Sequence, residues 1–434
     1  MSDEMISIHE EKEENEYIED YFLENLPKED VFEMVQEIYL LTKKYLDEDI
    51  LIISDPLFHK NILCEISGFF QSFLTELYPL NNIKEDELSQ FVENHILFYI
   101  KHKMDPHRSQ KQKQKQKQKQ KQKQNDPSSF DKNEIKQKLN ILFQSYQPEQ
   151  KTQQWYEYRN SMLTSSNIDK ILGSTARRNS LIYEKCKPIC FIESDYVNTE
   201  TSLHWGNKYE PVSIMIYEEM YSTKIDHLGC MTHSNIKYLG ASPDGINIDE
   251  TNSRYGRLIE VKNIVNREIN GIPSETYWVQ MQIQMEVCDI NECDFFETRI
   301  KEYDNQSDFL SSDSSIKKGI ILYFVSKKDM GSKPYYIYMP LDIIVINSEK
   351  WIDEKKKEYI DYALYTIIYW YLDEFSCIYV ERNKKWFQSL LPKINEIWNI
   401  IEYERIHGYL HRMPKQREKK ENYSLLIPDS ELNL

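Results

Sequence analysis

An uninterrupted alternation of lysine and glutamine runs through the chain from Gln110 to Gln124. It holds no apolar side chain, so this stretch cannot pack into a hydrophobic core. We interpret it as a solvated linker, and the alternative is a basic arm that contacts phosphate backbones. Either way it marks a domain boundary, and a length of 434 residues favours two or three domains around it.

Composition is consistent with folded domains on both sides of this run. Hydrophobic residues make up 40% of the chain and charged residues 29%, which excludes global disorder. No stretch approaches the ~18 uninterrupted apolar residues of a membrane span, and the acidic N-terminus lacks the apolar core of a secretory signal. Seven cysteines, an odd number, do not make a disulfide framework. We therefore expect an intracellular protein with reduced thiols.

The charge of the chain is distributed unevenly. Its net value of −17 argues against a protein that coats nucleic acid with its whole surface. Acidic residues dominate the first hundred positions, whereas the Lys-Gln region is basic and the remainder only mildly acidic. The net charge is therefore compatible with a local cationic channel that binds nucleic acid.

Periodicity divides the chain into five regions. Helical spacing in 31–46 and 88–104 predicts a small helical module before the linker. After the linker, helical patterns near 132–147, 165–173, 201–222 and 275–288 alternate with strand-like runs near 225–233, 236–241, 257–264, 293–301, 318–326 and 334–340. The predicted regions are an acidic helical module (1–104), the linker (105–129), a mixed α/β domain (130–345), C-terminal helices (346–413) and a loose tail (414–434).

Two neighbouring motifs concentrate polar residues in apolar surroundings: LGASPDGINI (239–248) and GRLIEVKN (256–263). On a strand, residues two apart point to the same face, so Glu260 and Lys262 project side by side while Val261 is buried on the opposite side. Asp244 and Glu260 are hard oxygen ligands suited to Mg²⁺ or Mn²⁺. Lys262 could orient an attacking water and stabilise charge on a phosphate oxygen. The alternative is a salt bridge on an exposed strand.

Two predicted helices add polar side chains to this cluster. Glu210 follows Gly206 at the start of one helix and could supply a further carboxylate, or pair with Lys208 or solvent instead. In TYWVQMQIQMEVC (276–288), Tyr277, Gln280 and Gln284 share one helical face. The amides of the two glutamines could bind a substrate or a metal-bound water, or they could form a solvent-facing ladder.

The segment WYEYRNSMLTSSNIDKILG (155–173) suggests an anion site. Hydroxyl groups at a helix N-terminus bind anions, and Arg159 nearby would favour phosphate. Simple helix capping is the alternative interpretation of Ser165 and Ser166.

In chain order, the motifs W-x3-R…T-S-S, W-G-x3-E-P, S-P-D-G, E-V-K and Y-W-x-Q-M-Q resemble the YqaJ-like viral recombinase and lambda-type exonuclease family. That family lies within the PD-(D/E)XK nuclease superfamily. The match spans about residues 155–300. Each motif is short, but their shared order argues against chance.

This resemblance implies a restriction-endonuclease-like α/β core, with a central mixed sheet flanked by helices. It implies Mg²⁺-dependent digestion of duplex DNA from an end, typically 5′ to 3′. The remaining single strand would feed recombination or a single-strand annealing protein. Asp244 and Glu260 resemble the family's metal ligands, Glu210 an additional helix carboxylate and Val261 a carbonyl ligand, around two Mg²⁺ or Mn²⁺ ions.

The other site residues are also implied by the resemblance. Lys262 resembles the catalytic lysine, and Gln280, with Tyr277, stands where the family has its active-site glutamine. Arg159 and Ser166 resemble the residues that hold the 5′-phosphate of the DNA end.

The chain also departs from the family pattern. A polar stretch between Asp244 and Glu260, IDETNSRYGR, would lengthen a hairpin. The acidic module, the linker and the C-terminal helices lie outside the match, so a ring-shaped homo-oligomer is left open. The cysteine and histidine spacings predict neither an iron–sulfur cluster nor a zinc site.

Several functions fit these residues. The leading one is a metal-dependent exonuclease, and the alternatives are a structure-specific endonuclease or resolvase and a catalytically silent scaffold that binds DNA ends. A recruiting role for the flanking helices is a further option. Residue usage fits a large DNA virus with an AT-rich genome, which would place the protein in the host cytoplasm, a viral factory or the virion.

Overall fold

The computed structural model describes residues 28–48, 55–77, 85–102, 132–189, 198–199, 201–328, 333–343 and 347–414. The Lys-Gln run and nearly all of the predicted tail lie outside the described residues. In the ranges that are described, no helix is long and apolar enough to cross a membrane.

The N-terminal region forms three helices: α1 (Lys28–Glu48), α2 (Pro56–Leu77) and α3 (Glu85–His102). Asp55 starts α2, because its carboxylate accepts a hydrogen bond from Leu57 N (2.9 Å) and Pro56 occupies the first helical position. The three helices bury their apolar faces against one another in a shared core that includes Ile38, Ile62 and Val92. The helices predicted in 31–46 and 88–104 are thus confirmed.

After the linker, the chain builds a mixed seven-stranded sheet in the order β2-β5-β6-β7-β10-β8-β9. β6 and β7 are parallel, and the other neighbouring pairs are antiparallel. The strands are β2 (Ile225–Asp226), β5 (Gly245–Asn247), β6 (Leu258–Asn263), β7 (Glu292–Glu302), β8 (Lys318–Ser326), β9 (Tyr335–Tyr338) and β10 (Tyr362–Glu381).

Helices cover both faces of this sheet, which confirms the predicted α/β class. Successive residues of β7 point to opposite faces: Phe295 packs with α9 and α12, and Phe296 with α8. The helices are α4 (Lys132–Gln144), α5 (Gln153–Asn160), α6 (Asp169–Leu172), α7 (Thr175–Cys186), α8 (Ser202–Tyr221), α9 (Glu275–Cys288), α10 (Gln306–Ser311), α11 (Ser348–Glu358) and α12 (Lys384–His407).

The prediction of helices throughout 346–413 is wrong for Tyr362–Glu381, which forms the longest strand, β10. This run is dense in aromatic and β-branched residues, which favour strands. Because apolar residues occupy both of its faces, the two-residue alternation of a half-buried strand is missing. β10 pairs with β8 along its first half and with β7 along its second, so the sheet extends beyond the predicted boundary at residue 345.

A second, three-stranded sheet has the order β1-β4-β3 and comprises β1 (Leu163–Thr164), β3 (Met231–Thr232) and β4 (Leu239–Ala241). β1 runs parallel to β4, with Thr164 opposite Gly240. A Cβ atom at position 240 would collide with Met162, so this close approach requires glycine. The sheet brings the 3₁₀ turn Ser165–Asn167 next to the Ser242–Asp244 segment that follows β4.

Candidate active site

A β-hairpin positions the two central acidic residues. β5 and β6 are antiparallel, with Gly245 opposite Ile259, and the polar stretch IDETNSRYGR forms the long connection between them. Asp244 immediately precedes β5, and its Oδ2 accepts a hydrogen bond from the backbone N–H of Val261 (2.7 Å). The hairpin thus fixes Asp244 beside the strand that carries Glu260.

Glu260 is completely buried on the face of β6 that α9 covers. Its Oε1 accepts hydrogen bonds from Gln280 Nε2 (2.7 Å) and from Lys262 Nζ, and its Oε2 accepts one from Gln284 Nε2 (2.6 Å). We call Asp244, Glu260, Lys262, Gln280 and Gln284 the acidic centre. The predicted side-by-side projection of Glu260 and Lys262 is confirmed.

Helix α9 aligns its polar face with this centre. The hydroxyl of Ser274 caps the helix by accepting from Tyr277 N (3.5 Å). Gln280 and Gln284, one and two turns beyond Tyr277, donate to Glu260. Lys262 Nζ lies 5.1 Å from the centroid of the Tyr277 ring. The shared face predicted from the i, i+3, i+7 spacing is therefore present, and it faces Glu260 rather than solvent.

Burial and repulsion shape the charges of the acidic centre. Burial raises the pKa of Asp244 well above its usual range, and the nearby Glu260 and Glu210 carboxylates raise it further, against the opposing effect of Lys262. Burial lowers the pKa of Lys262, but Glu260 and Asp244 more than offset this, so its pKa lies above the ordinary value. The centre therefore holds an ammonium among crowded carboxylates.

Glu210 lies on α8 within electrostatic range of Asp244. Its carboxylate forms an ion pair with Lys151 Nζ at 3.6 Å. The alternative partner named from the sequence, Lys208, instead donates to Glu302 Oε1 at 2.7 Å. Glu210 thus stands at the edge of the acidic centre.

Arg159 lies in a separate cleft, next to the 3₁₀ turn. Its guanidinium donates to Ser166 Oγ (2.8 Å), Ser242 Oγ (3.1 Å) and Thr164 Oγ1 (3.4 Å), and it stacks 4.3 Å above the Trp155 ring. Asn167 closes the turn by accepting from Thr164 N (3.0 Å), so Ser166 is not the residue that caps it. The predicted pairing of Arg159 with Ser166 is present, and we call this site the Arg159 cleft.

Residues 154–291, which hold both sites, match the family model of the YqaJ-like viral recombinase domain. The resemblance predicted from the sequence is confirmed. The YqaJ-like segment includes Arg159, Glu210, Asp244, Glu260 and Lys262, but not β10 or α12. This match supports the interpretation of the chain as a nuclease.

Other comparisons find similarity at lower sequence identity. Uncharacterized protein R354 of Acanthamoeba polyphaga mimivirus is 29% identical over 311 residues, which cover 62% of this chain and 56% of that protein. The chain therefore spans little more than half the length of this relative. An alkaline exonuclease, LHK-Exo, from Laribacter hongkongensis has 17% identity and a TM-score of 0.36, over 59% of this chain and 95% of the other. A phage-related exonuclease from Haemophilus somnus has 13% identity and a TM-score of 0.30, over 56% and 93%.

The donor set of the acidic centre fits a divalent cation. Among the described residues, no group of three or more His, Cys, Asp or Glu side chains lies close enough together to hold a metal ion. Asp244 and Glu260 nevertheless offer two hard oxygen ligands, and burial, followed by the neighbouring Glu260 and Glu210 carboxylates, raises the pKa of Asp244. A bound divalent cation would favour the ionised form of Asp244.

Ser242 is not singled out as a site residue by the sequence alone. Ser242 belongs to the S-P-D-G motif, and its place two residues before Asp244 was a usable signal. Gln284 lies on the predicted polar face of α9, where it donates to Glu260 as closely as Gln280 does.

Proposed function

We propose that this protein is a metal-dependent deoxyribonuclease that resects duplex DNA from 5′-phosphorylated ends during recombination or DNA processing. The observation that carries the proposal is the convergence of Asp244, Glu260 and Lys262 within the YqaJ-like segment. Paired carboxylates beside a lysine suit phosphodiester hydrolysis.

Asp244, Glu260 and the Val261 carbonyl would hold Mg²⁺ or Mn²⁺, and Glu210 would assist from α8. When bound, the metal would activate water and stabilise charge on the phosphate. The fit is chemical, because carboxylate and carbonyl oxygens are the ligands these ions prefer.

The chain's own side chains would prepare the reaction. Gln280 and Gln284 orient the Glu260 carboxylate through one amide on each of its oxygens. Lys262 would orient the attacking water and stabilise negative charge that develops on the phosphate oxygens. Tyr277, close to the Lys262 ammonium, would limit where that ammonium can move.

The Arg159 cleft favours an exonuclease over an endonuclease. Arg159 presents a planar cationic fork, and Ser166 and Ser242 add hydroxyl groups that could donate to a phosphate. A terminal 5′-phosphate exists only at a DNA end, so a pocket for it serves an enzyme that starts at ends. A structure-specific endonuclease would have no use for this preference.

The partners follow from this function. We propose double-stranded DNA ends as the substrate, with the product strand passed to a single-strand annealing protein. A viral setting, in the host cytoplasm, a viral factory or the virion, is in keeping with the mimivirus relative. Homo-oligomerisation on DNA remains a further proposal.

The decisive experiment uses linear duplex DNA labelled at either end, with covalently closed circular DNA as a second substrate. Each is incubated with Mg²⁺, Mn²⁺ or EDTA, using the natural protein, Lys262→Ala, and Lys237→Ala as a control at an exposed lysine. We expect nucleotides to be released from 5′-phosphorylated ends. EDTA and Lys262→Ala should abolish this release, and Lys237→Ala should not. Cutting of the circle would favour an endonuclease, and end binding without cleavage would favour a silent scaffold.

A further inference from the structure

A buried lysine contacts the backbone of Arg159. Lys185, in the last turn of α7, is only 5% exposed and lines the same cleft. Its Nζ donates a hydrogen bond to the backbone carbonyl of Arg159 (2.7 Å). An ammonium has three protons to donate, more than this one carbonyl accepts. A buried lysine is costly without a role or a counter-charge, so its position asks for an explanation.

The C-terminal helix α12 fixes the backbone on both sides of this contact. Arg405 donates to the carbonyl of Lys185 through Nη2 (2.8 Å) and Nε (3.1 Å). Its Nη2 also donates to the carbonyl of Asn160 (2.9 Å), next to Arg159. Arg405 therefore ties the end of α5 to the end of α7, and it comes from outside the YqaJ-like segment.

Helix α12 is itself anchored to the elements around the cleft. The Trp398 ring stacks on Tyr238 at 5.1 Å, and Asn395 Oδ1 accepts from the Tyr238 hydroxyl (2.6 Å). At the other end, Arg412 bridges Glu404 (2.6 Å) and Asn179 of α7 (2.5 Å). These contacts hold α12 against Tyr238 and α7, so that Arg405 is fixed next to Lys185.

We propose that Lys185 is a second cation of the Arg159 cleft, positioned by Arg405, and that it strengthens the preference for a 5′-phosphorylated DNA end. This proposal rests on the proposed function, because it assumes that the cleft receives the terminal phosphate. Lys185 is a positioning residue: it holds the Arg159 backbone and adds positive charge to the same cleft.

The surroundings of Lys185 make this contribution sensitive to pH. Burial lowers the pKa of Lys185 to about 8, with Arg159 and Arg405 lowering it and Glu184 and Cys230 raising it. The Lys185 side chain is therefore charged below this pH, and it loses its charge as the pH rises through this value. A terminal phosphate has its second pKa near ~6, so its own charge stays constant above about pH 7.

The test measures kcat/KM on duplexes with a 5′-phosphate and on matched duplexes with a 5′-hydroxyl, from about pH 7 to about pH 9.5. The ratio of the two values cancels the pH dependence of the chemistry, which both substrates share. For the natural protein we expect this ratio to fall about ten-fold as the pH rises, which is the size of one charge-assisted interaction.

Substitutions separate charge from structure. Lys185→Met should give a low ratio at every pH, and Lys185→Arg a high ratio that does not fall. Arg405→Gln removes a neighbouring positive charge, so the midpoint of the fall should move to higher pH. Lys187→Met, at an exposed lysine of the same cleft, should leave the midpoint unchanged.

Failure of this proposal differs from failure of the proposed function. A ratio that is high and flat in the natural protein, but is abolished by Arg159→Ala, would overturn the role of Lys185 and leave the phosphate pocket intact. A ratio of one at every pH in the natural protein would overturn the pocket itself. The natural protein's own profile needs no variant, so poor folding of Lys185→Met cannot hide either result.

Discussion

The acidic centre and the Arg159 cleft follow the same plan with opposite charge. In the centre, the neutral amides of Gln280 and Gln284 orient the Glu260 carboxylate. In the cleft, neutral hydroxyls surround the Arg159 guanidinium. Neutral dipoles fix a charged group without cancelling its charge. In the centre Lys262 offsets part of the negative charge, but two carboxylates face one ammonium, so the centre suits a cation and the cleft an anion.

One tripeptide connects the two regions. Ser242 accepts from Arg159 in the cleft, and Asp244 accepts from Val261 in the centre. Pro243 between them has a fixed φ angle, which limits how far the two residues can move relative to each other. The comparison therefore predicts that chemistry and end preference can be separated by substitution, except at this link.

Lys262→Ala should have the largest effect. We expect turnover to fall by about 10²–10³-fold on 5′-phosphate and 5′-hydroxyl ends alike, because a group that stabilises developing charge is lost. Single-turnover rates on both substrates measure this, and circular dichroism checks that the variant is folded. A loss confined to phosphorylated ends would contradict the separation of the two regions.

Arg159→Ala should act on one substrate only. We expect a fall of roughly 10–100-fold on 5′-phosphorylated ends, the size of a charge-assisted hydrogen bond, and little change on hydroxyl ends. Arg159→Lys should recover only part of this loss, because a point charge cannot replace a planar fork that contacts several groups. Equal losses on both substrates would show that Arg159 serves folding or chemistry instead.

Gln284→Leu sharpens the account of the acidic centre. Glu260 would lose the donor to its Oε2, so we expect unfolding to become easier by about 1–3 kcal/mol and turnover to fall about ten-fold. The ratio between phosphorylated and hydroxyl ends should stay constant. Thermal denaturation and steady-state kinetics test the two parts, and unchanged turnover would mean that Gln280 alone orients Glu260.

Ser242→Ala should give the smallest effect and probes the link. Removing one neutral partner of Arg159 is expected to lower the end preference by about five-fold. In the Arg159→Ala background the same substitution should change little, because the interaction is already absent. An additive loss in the double variant would indicate that Ser242 acts independently of Arg159.

The sequence predicts the acidic centre well because its residues are local. A strand places Glu260 and Lys262 on one face, and a helix does so for Gln280 and Gln284, whatever the rest of the fold. The Arg159 cleft is predictable only in part. Ser166 is close in sequence, but Lys185 arrives through the packing of α7, which no short pattern encodes.

The outer part of the fold is harder to predict from sequence for a related reason. Strand β10 is apolar on both faces, so its run lacks the two-residue alternation that would distinguish a strand from a helix. Only its pairing with β7 and β8, distant in sequence, decides between the two. The helical spacing predicts α12, but it does not predict the contact that Arg405 of this helix makes with Lys185.

The late position of β10 has a consequence for synthesis on the ribosome. β7 and β8 are complete well before Tyr362–Glu381 is translated, yet in the finished sheet this strand lies between them. Until then the nascent chain exposes two strand edges, and such edges pair readily with other chains. Truncation before Tyr362 would make that state permanent, so we expect shortened forms to aggregate even when they contain the whole YqaJ-like segment.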